Sequence, residues 1–331
     1  MNPPLLEVHG LTTTFPDFAA AGRRLPVVDA IDFDVRRGEV LALVGESGCG
    51  KSVTALSLLR LVPRPGRIEP GSRVVFEGRN LLELSVPAMR EVRGASIAMI
   101  FQEPMTALNP VQQVGAQVME AIRLHERVSR SEARRRVEQL FERVGIPDPR
   151  ARTRSYPHEL SGGLKQRVMI AMAVAMRPRL LIADEPTTAL DVTVQAQILE
   201  LLRELQRELD TSVLLITHDL GVVNELADRV AVMYAGRIVE RGTRLEVLGS
   251  ARHPYTQGLL RSIPARAQRG MRLEEIPGVV PSPGDWAPGC RFAPRCARAF
   301  GPCREQVPGP THLTAEHAAR CHALDVEEHA A

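Results

Sequence analysis

Short runs of apolar residues, each bounded by turn-forming residues, recur along the chain. Three of these runs are Val40–Val44, Leu180–Ala183 and Val213–Ile216. A strand that is apolar on both faces has to be covered on both faces, so runs of this kind predict the buried strands of a parallel sheet. The pattern therefore indicates an α/β fold in which helices cover the sheet.

Two other segments carry apolar residues at helical spacing. The first begins with a capping-box pattern of Ser129 and Glu132 and stops at Gly145. Between about 104 and 176 the sequence is rich in helical patterns and the alternation of strands with helices is interrupted. This predicts an inserted helical subdomain. The residues that share a helical face are Val137, Leu140, Phe141 and Val144 in the first segment, and Val194, Ile198, Leu201, Leu202 and Leu205 in the second.

Composition excludes several classes of protein. The chain has 331 residues, of which 24% are charged and 44% hydrophobic, close to the averages of globular proteins. The 42 basic residues nearly balance the 39 acidic ones and aromatic residues make up only 4%, so nothing indicates a nucleic-acid partner. The length allows one large α/β domain, which we place at 1–250, and a smaller, proline-rich domain at 251–331.

The sequence predicts a cytoplasmic location. Its longest uncharged apolar run, Val168–Met176, falls far short of the roughly 20 residues of a spanning helix, and Met1–Gly10 lacks the pattern of a signal peptide. Structural disulfides are uncommon in that compartment. The clustering of Cys290, Cys296, Cys303 and Cys321 therefore needs a separate explanation.

A G-x4-G-K-S motif follows the run Val40–Val44 and precedes an apolar segment that can be helical. In this context the glycines let backbone N–H groups surround phosphate oxygens, Lys51 reaches the terminal phosphates, and the Ser52 hydroxyl can bind Mg²⁺. We expect Cys49, at a variable position, to be an inert small residue. The residues of this phosphate loop are Gly45, Glu46, Ser47, Gly48, Cys49, Gly50, Lys51 and Ser52.

Asp184 and Glu185 stand where a buried strand emerges at the edge of the predicted sheet. In folds of this kind that edge adjoins the phosphate loop. Asp184 would hold Mg²⁺, directly or through water. Glu185 would orient the water that attacks the γ-phosphate of a bound nucleotide.

The segment Leu160–Arg167, Leu-Ser-Gly-Gly-Leu-Lys-Gln-Arg, resembles the signature of ATP-binding-cassette (ABC) ATPases. Two glycines after a serine open a predicted helix, whose free N–H groups suit an anion. Five elements follow one another in the order of that family: Gln102, the signature, Asp184 with Glu185, Ala189 with Leu190 and Asp191, and His218.

The resemblance implies a P-loop NTPase of ABC type and assigns roles to its motif residues. Gln102 would sense Mg²⁺ and the attacking water, so that Mg²⁺ is held by Ser52, Gln102 and Asp184, and His218 would contact the γ-phosphate. Phe15 is our candidate for stacking on adenine; Phe18, or a core role for either ring, is the alternative. The residues expected to act on ATP across a dimer interface are Ser161, Gly162, Gly163, Gln166 and Asp191.

The C-terminal segments His253–Leu260, Ile276–Gly278, Pro281–Pro283 and Gly289–Cys296 are similar to the tail of oligopeptide and dipeptide importer ATPases. This implies an ATPase at the cytoplasmic face of a prokaryotic inner membrane that powers peptide uptake. Its partners would be two transmembrane permease subunits, a second, homologous but non-identical ATPase and an extracytoplasmic substrate-binding protein. Nickel or glutathione-like cargo is an alternative. A soluble, non-transport ABC ATPase and an exporter fit less well.

The four clustered cysteines offer soft ligands that suit Zn²⁺ or an iron–sulfur cluster. The C-x2-C knuckles of zinc ribbons are absent. Because the resemblance includes importers that hold a 4Fe-4S cluster in this tail, we expect such a cluster on Cys290, Cys296, Cys303 and Cys321. Zn²⁺, with His317 and His322 as further candidate ligands, is the alternative. The segment carries no phosphate-binding motif, which predicts a structural or regulatory role.

Overall fold

The structure is a computed structural model that describes residues 4–20, 22–103, 107–188, 190–262 and 275–324. It divides into two units. The helical unit contains residues 36–38 and 83–215, and the phosphate-loop unit contains residues 4–35, 39–82 and 216–324. Ala189, residues 104–106 at the start of the expected subdomain and residues 263–274 of the expected C-terminal domain lie outside the described residues. The domain boundaries themselves stay predictions.

The elements of regular structure have the following bounds. The strands are β1 Leu6–Pro16, β2 Arg24–Val35, β3 Val40–Val44, β4 Arg67–Ile68, β5 Arg73–Phe76, β6 Arg79–Asn80, β7 Ile97–Ile100, β8 Leu180–Asp184, β9 Ser212–Thr217, β10 Arg229–Tyr234, β11 Arg237–Thr243, β12 Thr311–His312 and β13 Ala318–Ala319. The helices are α1 Lys51–Leu58, α2 Val86–Val92, α3 Val114–His125, α4 Arg130–Arg143, α5 Pro149–Arg152, α6 Gly162–Val174, α7 Val192–Leu209, α8 Leu220–Leu226, α9 Arg244–Gly249, α10 Pro254–Arg261 and α11 Gly301–Glu305.

In the helical unit, β7 and β8 pair in parallel, and helices α3 to α6 lie between them along the chain. Helix α4 begins as its sequence predicts, because the Ser129 hydroxyl accepts a hydrogen bond from the N–H of Glu132 at 3.1 Å. The Glu132 carboxylate pairs with Arg136. The helix ends before Gly145, whose φ of 71° stops it.

Helix α7 confirms the second predicted stripe. The Asp191 carboxylate caps its start by accepting from the N–H of Val194 at 2.9 Å. Val194 itself is only partly buried. The fully buried side chains of this helix are Ile198, Leu199, Leu201, Leu202 and Leu205.

In the phosphate-loop unit, β1 pairs antiparallel with β2 and β5. Strand β3, in which all five residues are buried, runs parallel to β10, as its continuous apolar run predicts. Strand β10 pairs antiparallel with β11. Strand β11 pairs with β13, which lies in the part of the chain described as residues 275–324, here called the C-terminal segment. The C-terminal segment is thus tied into this unit by main-chain hydrogen bonds.

Three aromatic rings connect β10, α10 and the C-terminal segment in the core of the phosphate-loop unit. Tyr234 lies 4.6 Å from Tyr255 and 5.2 Å from Phe292, measured between ring centroids. All three side chains are buried. Pairs of this geometry add stability beyond the burial of their area. The core of the phosphate-loop unit therefore includes Phe292 of the C-terminal segment.

Candidate functional site

The phosphate loop joins β3 to α1 in a conformation that only glycine permits at two positions. Gly45 has a φ of 156° and Gly50, which precedes α1, a φ of 107°. A Cβ atom on Gly45 would lie 2.2 Å from the carbonyl oxygen of Met233, and one on Gly50 2.7 Å from that of Val27. Both distances are far below a van der Waals contact, so the loop needs glycine for space as well as for conformation.

The Lys51 ammonium lies inside the loop. Its Nζ donates to the carbonyl oxygens of Gly45 at 2.7 Å and Glu46 at 3.0 Å, and the residue is only 5% exposed. The neighbouring Cys49 is also buried, and burial raises the pKa of its thiol. A protonated, buried thiol is unreactive, which agrees with an inert role for Cys49.

Two contacts to Glu46 come from parts of the chain to which sequence reasoning gave no role in the site. The Arg295 guanidinium binds the Glu46 carboxylate through Nη1 at 2.8 Å and Nη2 at 3.0 Å. The Glu46 N–H donates to the Tyr255 hydroxyl at 2.8 Å. Both residues belong to segments singled out by their resemblance to importer tails. No local pattern, however, connects them with a loop more than 200 positions away.

The structure brings Gln102 and Glu185 together within the helical unit. Gln102 Nε2 donates to Glu185 Oε2 at 3.3 Å, and the Thr188 hydroxyl donates to the same oxygen at 2.8 Å. Asp184, the last residue of β8, is only 3% exposed. The pair thus consists of one buried carboxylate and one carboxylate whose Oε2 is held by two side chains.

The signature forms a helix start, as predicted. The Ser161 hydroxyl accepts from the N–H of Leu164 at 3.4 Å at the beginning of α6. A Cβ on Gly163 would lie 2.8 Å from Val194, so a glycine allows α6 to approach α7 closely. Ser161 and Gly162 are exposed.

Other predicted site residues have different surroundings. Gln166 is only 2% exposed, and its amide nitrogen has no hydrogen-bond partner among the described residues. Phe15 lies on β1 with its ring against Gly66, whereas Phe18 is 93% exposed in the turn that follows. His218 is exposed at the end of β9.

The four C-terminal cysteines are free thiols that lie near one another. Cys303 interacts electrostatically with Cys290, Cys296 and Cys321, and the N–H of Cys290 donates to the Cys303 carbonyl at 2.8 Å. Burial raises the pKa of the Cys290 thiol to about 11. Within the described ranges, however, no three side chains of His, Cys, Asp or Glu are arranged as a metal site. The donor chemistry of the four thiols suits a metal, but the arrangement of the described side chains does not.

Among the helices that the structure describes, none has both the length and the apolar character needed to cross a membrane.

Comparison with known proteins identifies the family. Residues 28–188 match the profile of the ABC transporter family, and residues 239–303 match that of the oligopeptide/dipeptide transporter C-terminal region. The chain is 54% identical over 318 residues to a probable peptide ABC transporter ATP-binding protein of Sinorhizobium fredii, covering 96% of this chain and 94% of that protein. It is 49% identical over 318 residues to the dipeptide transport ATP-binding protein DppD of Escherichia coli, covering 96% of each.

Solved structures confirm the predicted fold class. A dimeric, post-hydrolysis state of the ATP-binding cassette MJ0796 bound to ADP and Pi aligns with a TM-score of 0.64 at 24% identity, over 72% of this chain and 98% of that chain. The cbiO1 protein of Clostridium perfringens, part of the ABC transporter complex cbiONQ, aligns with a TM-score of 0.61 at 30% identity, over 75% and 91%. The chain thus belongs to the ATP-binding proteins of ABC transporters, in the group that carries the oligopeptide/dipeptide transporter C-terminal region.

Proposed function

We propose that this chain is the ATP-hydrolysing subunit of an ABC importer of di- and oligopeptides. The observation that carries the proposal is the 49–54% identity to peptide and dipeptide transport proteins along 96% of the chain, C-terminal region included. The names of these relatives support peptide cargo over nickel or glutathione-like cargo. They also favour a transport protein over a soluble ABC ATPase that takes no part in transport.

Nucleotide binding would centre on the phosphate loop. The Lys51 ammonium donates to two carbonyls of the loop. Its positive charge would bind the terminal phosphates of ATP. The N–H groups at the start of α1 add donors at the positive end of a helix dipole. Phe15 would stack on the adenine, with Phe18 as the alternative.

Hydrolysis would depend on Glu185. Gln102 and Thr188 both donate to its Oε2 atom, so two side chains orient the carboxylate, and a carboxylate placed in this way would accept a hydrogen bond from the attacking water. His218 would contact the γ-phosphate. The hydroxyl, carboxylate and amide oxygens of Ser52, Asp184 and Gln102 are ligands that suit Mg²⁺, which would neutralise phosphate charge when bound.

A second ATPase, homologous but non-identical, would complete each nucleotide site. Ser161 and Gly162 are exposed at the start of α6, where free N–H groups can bind an anion. We assign these residues, with Gly163, Gln166 and Asp191, to the nucleotide held by the partner ATPase. Two permease subunits and an extracytoplasmic substrate-binding protein would complete an importer whose ATPases associate peripherally with the cytoplasmic face of a prokaryotic inner membrane.

Purification of the assembled complex tests this function. Affinity isolation of the tagged chain from membranes should recover two permeases and a second ATPase. In proteoliposomes supplied with the binding protein, ATP should drive uptake of a radiolabelled dipeptide, and the matched Glu185→Gln complex should not. Uptake of nickel or glutathione without uptake of dipeptide would contradict peptide cargo and establish the alternative. ATP hydrolysis by a chain that no permease accompanies would favour a non-transport ATPase.

We propose further that the four C-terminal cysteines hold a 4Fe-4S cluster, with Zn²⁺ as the alternative. Their grouping around Cys303 and their thiol chemistry support this. Burial raises the pKa of the Cys290, Cys296 and Cys321 thiols, so a bound metal would have to displace their protons.

Metal analysis of anaerobically purified protein distinguishes a 4Fe-4S cluster from Zn²⁺. We expect a brown protein that contains iron and acid-labile sulfide, and that loses both on Cys296→Ser but keeps both on Cys49→Ser, the matched control outside the segment. A colourless protein with stoichiometric zinc would establish the zinc alternative.

A further inference from the structure

An arginine of the C-terminal segment binds the phosphate loop. Arg295 ends a short turn of helix, Ala293–Arg295, directly before Cys296, and its side chain is only 6% exposed. Both terminal nitrogens bind the Glu46 carboxylate, at 2.8 and 3.0 Å. A bidentate arginine–carboxylate pair fixes direction as well as distance, and salt screens this pair less than a fully exposed one because the Arg295 side chain is buried.

The rest of this guanidinium is bound to the C-terminal segment itself. Nε donates to the Pro277 carbonyl at 2.8 Å, and Nη2 lies within hydrogen-bond distance of the Ile276 and Gly278 carbonyls, at 3.3 and 3.2 Å. Arg295 therefore cannot move with the loop as a flexible surface side chain would. Hydrogen bonding to Glu46 holds the pKa of Arg295 above its ordinary value even though burial acts to lower it.

A second contact fixes the backbone of the same loop residue. The Glu46 N–H donates to the Tyr255 hydroxyl, and the Tyr255 ring is packed against Tyr234 and Phe292. Phe292 lies between Cys290 and Cys296 in the sequence. Both the side chain and the N–H of Glu46 are thus held by residues that the C-terminal segment contributes or supports.

We propose that Arg295 is a positioning residue for ATP binding. It acts through Glu46 and, together with Tyr255, holds the phosphate loop in the conformation that binds ATP. The C-terminal segment thereby sets the affinity of the ATP site. Glu46 directly follows Gly45, and the carbonyl oxygens of both residues accept from the Lys51 ammonium. Releasing Glu46 would therefore disturb the position of the cation that meets the phosphates.

The inference rests on the proposed ATP binding, and its test separates the two. The dissociation constant for ATP is measured on the full-length chain and on variants. We expect Arg295→Ala to weaken ATP binding at least about tenfold, the effect of losing a hydrogen-bonded charged pair. Arg295→Lys should recover part of the loss. If the unmodified chain does not bind ATP, the proposed function fails; if it binds and Arg295→Ala binds equally well, only this inference fails.

A matched control distinguishes positioning from general loss of structure. Arg291 lies four residues earlier and is also buried, but it binds Asp29 and the Ala235 carbonyl and stacks on Trp286. Arg291→Ala should change the affinity for ATP much less than Arg295→Ala. Equal losses in both variants would mean that the segment only stabilises the fold, and would overturn the proposal.

Two further measurements show whether Arg295 acts through Glu46. In a double-mutant cycle, Arg295→Ala should add little to the loss that Glu46→Ala already causes, whereas additive losses would contradict the coupling. In steady-state hydrolysis by the assembled complex, Arg295→Ala should raise KM for ATP and leave kcat within about twofold, because the carboxylate that orients water is unchanged. A fall in kcat at unchanged KM would contradict a role in binding.

Discussion

The backbone at Glu185 adopts a φ of 46°, a left-handed conformation that costs a non-glycine residue energy. The residue keeps this conformation while its Oε2 atom accepts hydrogen bonds from Gln102 and Thr188. Strain of this kind persists where the surrounding contacts determine one geometry. At the residue scale, the structure therefore shows a carboxylate held in one place, which is what orientation of a water molecule requires.

We predict that Glu185→Gln abolishes turnover and preserves ATP binding. The amide keeps the size of the side chain but is a poor acceptor for the water proton, so kcat should fall by at least about 100-fold. Steady-state ATP hydrolysis by the assembled complex measures the loss, and ATP binding by the same preparation is the control. Hydrolysis within several-fold of the unmodified complex would remove Glu185 from this role.

At the scale of elements, the turn between β3 and α1 depends on space that only glycine leaves. A Cβ on Gly45 would meet the Met233 carbonyl at 2.2 Å, whereas one on Gly71, also at positive φ, would meet nothing within 4 Å. We expect Gly71→Ala to cost about 1–2 kcal/mol of unfolding free energy through its backbone conformation alone, and Gly45→Ala to cost more. Thermal unfolding of the two variants without nucleotide measures the difference. Equal unfolding midpoints would mean that the loop adapts without strain.

A buried polar group joins β11, α10 and the residues before β13. Glu240 accepts from His317 at 2.8 Å and from the N–H groups of Arg252 and His253, and these bonds hold the pKa of its carboxyl below the ordinary value although burial acts to raise it. His253 Nδ1 accepts from the N–H of Tyr255 at the start of α10. Burial lowers the pKa of His253 to about 4.

These shifts predict lower stability in acid. Below pH 6.5 an unfolded chain binds a proton at His253 that the folded chain does not bind until the pH falls to about 4. The free energy of unfolding should therefore decrease by about 2 kcal/mol between pH 7 and pH 5 through this residue. Glu240 acts in the same direction at lower pH. Denaturant titrations at both pH values measure the loss. His253→Asn, whose Oδ1 can replace Nδ1 as the acceptor for Tyr255, should show less of it, and an unchanged loss would exclude His253.

At the scale of the whole molecule, Ser161 and Gly162 are exposed at the start of α6, and we have proposed that they act on the nucleotide of a second ATPase. We predict that Ser161→Arg impairs hydrolysis of nucleotide held by the partner ATPase, whereas Lys51→Ala impairs binding by this chain. The reason is that an arginine blocks exposed N–H groups in the first case, and a phosphate-binding cation is lost in the second. Crosslinking of photoreactive ATP to differently tagged subunits distinguishes the two. The same labelling pattern in both variants would contradict the assignment across the interface.

The sequence by itself determined the features that depend on local spacing. The apolar run Val40–Val44 predicts the bounds of β3, and Ser129 and Gly145 predict the limits of α4. The phosphate loop and the helix start at Ser161 follow in the same way from glycine, serine and lysine at fixed positions. Capping, helical periodicity and turn conformation involve residues a few positions apart, so a sequence pattern contains all the information they need.

Only the tertiary structure decided which distant residues meet. Gln102 and Glu185 are 83 positions apart, and no local signal in the sequence connects them. Arg295 and Glu46 are 249 positions apart, and the sequence predicted a C-terminal segment with no part in the ATP site. The packing of Tyr234, Tyr255 and Phe292 brings that segment to the phosphate loop. Contacts over such separations depend on how whole elements pack, which no short pattern along the chain encodes.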